Sequence, residues 1–178
     1  MKRILLVLIG ATLFFSCGES KKEEEKSAEK KVTKKTVVKK QKKEKKPTVI
    51  VDENGVANVF ISTSDKMKFS TKEINVKPNQ KVKLTLTHTG KLDKKIMGHN
   101  VVILKQGVKM STFAAAAAVS KENDYIPESS DDVIVHTKMI GGGESTTIEF
   151  TAPAAGEYDF ICSFPAHFAM MKGKFIVK

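Results

Sequence analysis

The 178-residue sequence predicts an all-β fold, an antiparallel Greek-key β-sandwich or barrel with one helix inserted mid-chain. Three observations predict it. Short segments of alternating or wholly apolar residues recur from about Val49 onward. Turn-forming residues separate them: Pro78-Asn79, Gly90, Gly107, Gly141-Gly142-Gly143 and Pro153 to Gly156. One stretch only, Ser111 to about Lys121, has helical character.

Taken in order, residues 1–16 read as an export signal. Lys2 and Arg3 precede an apolar run from Ile4 to Phe15, too short to span a bilayer and suited to a signal peptide. Ser16 then precedes Cys17, as in a bacterial lipoprotein signal whose cysteine is acylated. Residues 17–47, dominated by Lys, Glu, Ser and Thr, read as an acylated cysteine followed by a disordered tether. Residues 1–47 carry 15 basic and 6 acidic side chains, against 16 and 14 in residues 48–178. The high net charge of +11 therefore belongs mostly to the leader and tether, and it gives no support to nucleic-acid binding.

Residues 48–178 form the expected folded domain, long enough for a real core. Lys81 to His88 alternates, placing Val82, Leu84, Leu86 and His88 on one face. Val101 to Leu104 reads as a doubly buried strand. Thr146, Ile148 and Phe150 share a face of Ser145–Thr151, and Tyr158, Phe160 and Cys162 a face of Glu157–Ser163. Lys174–Lys178 gives a last strand. In the helical stretch, five alanines favour helix and Ser111 is the expected N-cap. His88 and His136 read as satisfied buried histidines on apolar strand faces.

The chemistry concentrates at the C-terminus. His167 follows Cys162 by five residues and Met171 by nine, with Pro165 turning the chain between them. His99, in Met97-Gly98-His99-Asn100, supplies a second imidazole just before a buried strand. Two imidazoles, a thiolate and a thioether suit copper in both oxidation states, whereas zinc gains little from methionine. Two cysteines exclude a four-cysteine zinc site, and a free thiol in an exported protein needs the protection of metal or burial.

These residues, with Met67-Lys68-Phe69, the segment His88 to Asn100, Val135 to Gly141 and Met171-Lys172-Gly173, resemble azurin, a type 1 copper protein of the cupredoxin superfamily. The resemblance runs from about Val59 to Lys178. It implies about eight strands in a Greek-key sandwich with a helical flap. It implies one copper per chain, with His99, Cys162 and His167 as ligands, Met171 as a weak axial ligand and the Gly98 carbonyl opposite. Asn100 would tie the ligand loops together near the sulfur, and Phe164 would lie beside them. There are departures: no disulfide near Asn79, Val101 where a tryptophan is common, Ala166 in place of glycine and Phe168 in place of a small residue.

The function expected is single-electron transport without enzymatic turnover. Met97, Phe164, Pro165, Ala166 and Met170 would rim the edge of His167 and receive transient redox partners, by resemblance c-type cytochromes or copper oxidoreductases. The chain would act as a monomer in the periplasm or cell envelope, held on a membrane through lipid at Cys17. The alternative is a copper chaperone or scavenger, but the domain's methionines are scattered. A second copper site as in nitrite reductases would need three further histidines, and only His88 and His136 remain.

Overall fold

A computed structural model describes residues 47–128 and 131–178. The expected signal, Cys17 and the tether up to residue 46 lie outside the described residues. In chain order the elements are β1 (Val49–Val51), β2 (Ala57–Thr63), β3 (Glu73–Val76), β4 (Lys81–His88), α1 (Lys94–Met97), β5 (Val102–Leu104), α2 (Met110–Ala118), β6 (Val133–His136), β7 (Ser145–Thr151), β8 (Gly156–Ile161) and β9 (Lys172–Val177). Single 3₁₀ turns occupy Lys121–Asn123 and His167–Ala169.

The strands form two sheets, ordered β1-β2-β4-β7 and β3-β9-β8-β5-β6. The fold is the cupredoxin sandwich, with nine strands among the described residues rather than about eight. It is also mixed, not purely antiparallel: β2 pairs with β4, and β3 with β9, in parallel. The cause is connectivity. The chain leaves β2 for β3 in the other sheet before returning as β4, so β2 and β4 run the same way.

Alternation places one face of each sheet inward. Val59 and Ile61 of β2, Val82, Leu84 and Leu86 of β4, and Tyr158 and Phe160 of β8 meet Phe175 and Val177 of β9 in one cluster. Burying a side chain such as Phe160 or Leu84 contributes about 1.5–3 kcal/mol. The outward faces carry cross-strand pairs, including Lys83 with Glu149 at 3.1 Å and Lys174 with Asp159 at 2.8 Å.

The helix differs from expectation at both ends. It starts at Met110, with Lys109 in the N-cap position and no side-chain cap, so Ser111 lies inside it. Packing sets this phase, because Phe113 and Ala117 must turn onto Val102, Leu104 and Ile161. It stops at Ala118, where Ser120 Oγ bonds back to the Ala116 carbonyl and the chain passes into the 3₁₀ turn. The last strand begins at Lys172 instead of Lys174, since β9 pairs along all of β8 (Ile161 opposite Lys172). β8 ends at Ile161, one residue before the cysteine.

Candidate metal centre

Three loops converge at the end of the sandwich where β4 finishes. His99 stands just before β5. Its backbone exchanges two hydrogen bonds with Ile140 (3.0 and 2.9 Å), which fixes the Cα in place. Its Nε2 lies 3.1 Å from the Ser64 carbonyl. A carbonyl only accepts, so Nε2 carries the proton and Nδ1 is left with a free lone pair.

The C-terminal loop follows β8. The Cys162 N–H donates to the Met171 carbonyl (3.0 Å), closing the loop at its base. Inside it, the His167 N–H donates to Phe164, and the His167 carbonyl accepts from Met170 and Met171. Ala166 holds a left-handed φ of 66° to aim His167 inward.

The side chains meet. Cys162 Sγ lies 3.9 Å from His99 Nδ1, 3.7 Å from His167 Nδ1 and 3.9 Å from the Gly98 carbonyl oxygen. The three ligand atoms of His99, Cys162 and His167 all fall within 4.8 Å of one another. Metal–sulfur and metal–nitrogen bonds of about 2.3 and 2.0 Å in a trigonal plane separate sulfur from nitrogen by about 3.8 Å. The site is thus spaced for one ion. Met171 is fully buried yet belongs to neither apolar cluster of the core. Gly98 has no room for a side chain: a Cβ there would strike the Lys94 carbonyl, Met139 and Phe164.

Electrostatics favour neutral imidazoles. Burial, helped by the neighbouring rings of His167 and His88, pushes His99 down to about 4. Burial also lowers His167. Burial raises the Cys162 thiol to about 11, partly offset by the Asn100 and Phe164 backbone N–H groups directed at the sulfur. Without a cation the sulfur stays protonated; a bound cation would displace that proton.

The surroundings are rigid. Asn100 Oδ1 accepts from the Ser163 N–H (2.9 Å) and its Nδ2 donates to Ser163 Oγ (2.8 Å), joining the two loops. Phe164 packs on His167 with ring centroids 4.6 Å apart. His88 is a satisfied buried histidine: Nδ1 accepts from Gly90, Nε2 donates to the Met97 carbonyl, and its ring stacks on His99.

His136 corrects the sequence reading, because its side chain is exposed. β6 is an edge strand, and burial along it falls away at its last residue. His167, expected to show a free edge, is only 4% exposed. Around it, Met97, Phe164 and Pro165 are half-buried, Ala166 is exposed and Met170 is 50% exposed. Sequence reasoning missed the Ser64 carbonyl, a backbone group without a side-chain signature. It also missed Thr137, whose buried hydroxyl accepts from the Val101 N–H at 3.0 Å.

Residues 56–178 match the family of copper binding proteins described as the plastocyanin/azurin family. The chain belongs to that family. Among relatives of this plastocyanin/azurin protein, azurin-1 of Alcaligenes xylosoxydans xylosoxydans is 43% identical over 120 residues, spanning 65% of this chain and 93% of its own. Auracyanin A, a "blue" copper protein of Chloroflexus aurantiacus, superposes with a TM-score of 0.64 at 27% identity, over 70% of this chain and all of its own. An azurin of Methylomonas sp. strain J gives 0.62 at 30% identity, over 68% and 97%. The metal of this family is copper, and His99, Cys162, His167 and Met171 would hold it in a type 1 arrangement.

Proposed function

We propose that this protein is a blue copper electron carrier of the cell envelope, exported by residues 1–16 and tethered to a membrane through acylated Cys17. The observation that carries this reading is the buried, all-protein donor set. His99, Cys162 and His167 converge with the Gly98 carbonyl close by, and of these and Met171 only His167, at 4%, keeps any exposure.

When bound, copper supplies a one-electron couple between Cu(II) and Cu(I). The chain does the rest. The Ser64 carbonyl and the Ile140 bridge hold His99 in one orientation. Asn100 and Ser163 lock the two loops against each other. Little can rearrange when the charge at the centre changes, which lowers the barrier to transfer. Met97, Pro165, Ala166 and Met170 surround His167 and would give redox partners, such as c-type cytochromes or copper oxidoreductases, a small apolar platform for brief docking. Such contacts suit a monomer.

The test is anaerobic copper loading followed by visible spectroscopy. An intense blue thiolate-to-copper band, lost in Cys162→Ser, is expected. A colourless Cu(II) form with the cysteine intact would overturn the reading. Incorporation of labelled palmitate, lost in Cys17→Ser, tests the anchor separately. Fast copper release to a chelator, with no reversible redox wave, would point to a chaperone instead.

A further inference from the structure

We infer that the copper face is built for a redox partner whose own docking rim is anionic. This deepens the electron-carrier reading and rests on it.

Two loops frame the copper ligands on one side. Residues 64–72 and 89–98 contain six lysines (Lys66, Lys68, Lys72, Lys91, Lys94 and Lys95) and two acids, Asp65 and Asp93. All six lysines are exposed, and none makes an ion pair among the described residues. The acids are already engaged. Asp65 accepts from the backbone N–H groups of Lys91 and Leu92 (2.9 and 3.3 Å) and faces His88; Asp93 caps α1 through the Lys95 N–H (2.8 Å). Those hydrogen bonds fix the two carboxylates but leave their charge in place, so the two loops keep a net of four positive charges, carried on exposed lysines.

The lysines sit where they matter. The Lys94 carbonyl abuts Gly98, the residue before the ligand His99. Lys68 and Lys72 share a groove of about 300 Å³ with Ala169, Met170 and Lys172, which places them against the loop that carries His167. Between the charges lie exposed apolar side chains: Leu92, Ile96 at 64% and Met170 at 50%. An apolar centre inside a border of net positive charge is the arrangement that steers a partner of opposite charge and then releases it. The far end of the sandwich offers a contrast. Lys81 begins β4, seven residues before His88, and is roughly 23 Å from the copper end at strand spacing.

The occupant is a protein with carboxylates around its redox centre. The experiment uses the full copper-loaded chain and two forms of one cytochrome c: native, with lysines around the haem edge, and succinylated, with those lysines made anionic. Second-order electron transfer is followed by stopped flow at about 10 mM and about 0.5 M salt, where the Debye length falls from about 30 Å to below about 8 Å. The N-terminal segment is the same in every variant, so its charge cancels in each comparison.

The triple variant Lys68→Glu, Lys94→Glu, Lys95→Glu should react at least tenfold more slowly than wild type with the succinylated cytochrome at low salt. The gap should close to within twofold at high salt. The blue band should not change, and rates are compared after correction for driving force from each variant's measured reduction potential. A control with the same net charge, Lys77→Glu, Lys81→Glu, Lys178→Glu at the far end, should differ from wild type by less than twofold. Equal slowing by both triple variants overturns the inference, as net charge alone would then act. An unchanged rate in the first variant also overturns it. So would loss of sedimentation with phosphatidylglycerol vesicles unaccompanied by any change in electron transfer, which would assign the lysines to lipid. Absence of the blue band in the wild type would sink the carrier reading itself, and it is scored before any rate is measured.

Discussion

At the scale of the residue, Cys162 sets the chemistry of metal uptake. Burial holds its thiol up at about 11, while His99 lies near 4 and His167 below its ordinary value. At pH 7 the metal-free site therefore has a neutral thiol and two neutral imidazoles. Binding Cu(II) should release about one proton, and the apparent affinity should rise about tenfold per pH unit between about pH 6.5 and 9. Calorimetric titration in buffers of different ionisation enthalpy measures that proton, and zero release would contradict a thiolate formed on binding. Ala166 is the second informative residue. Its left-handed backbone at φ 66° is a conformation that disfavours any side chain. Ala166→Gly should stabilise the metal-free protein by about 1 kcal/mol in urea denaturation, with the blue band kept. The sequence already singled out this alanine as standing where glycine is expected.

At the scale of the element, the β4–α1 loop depends on a single carboxylate. Hydrogen bonds from the Lys91 N–H first, and the Leu92 N–H as well, hold Asp65 below the usual carboxylate range. The sign follows from that depression. The charged form favours the folded loop at all pH values above the ordinary 3.8, and the benefit disappears as pH falls through the lower folded value. Asp65→Ala should speed hydrogen exchange at the Lys91 and Leu92 amides while those of β7 stay protected; unchanged exchange at both would refute the tie. Elements also show what the sequence made legible. β7 follows from its alternation at both ends, because Thr146, Ile148 and Phe150 face in and Ser145, Thr147 and Glu149 face out. β2 was hidden by an outward Phe60, 49% exposed, which breaks the apparent alternation of Ala57, Val59 and Ile61. β3, at four residues, is too short to declare itself. Ser111 looked like a helix cap because propensity knows nothing of Phe113, whose burial puts the cap position two residues earlier. The ligands were legible because they are side chains with distinctive chemistry; the Ser64 carbonyl that orients His99 was not, because any residue supplies one.

At the scale of the whole molecule, stability without metal should depend on acidity. Both ligand histidines take up protons in the folded protein only below their ordinary 6.5, at about 4 for His99. The unfolded chain takes them up first, so folding weakens as pH falls from about 6.5 toward 4, by up to about 1.4 kcal/mol per pH unit for each such group. Thermal denaturation of the copper-free protein should show a lower Tm at pH 5 than at pH 7, and an equal Tm would exclude this linkage. Whole-molecule topology carries a different consequence. The parallel pairing of β3 with β9 sets Ile74 beside Phe175, about a hundred positions apart in the sequence. Closing so long a loop is entropically slow. Synthesis must therefore have passed Phe175 before the second sheet can shut, and the loop bearing Cys162, His167 and Met171 is fixed only then. A chain made only as far as β8 has no finished pocket to offer a metal, so copper must arrive after β9 has joined the sheet.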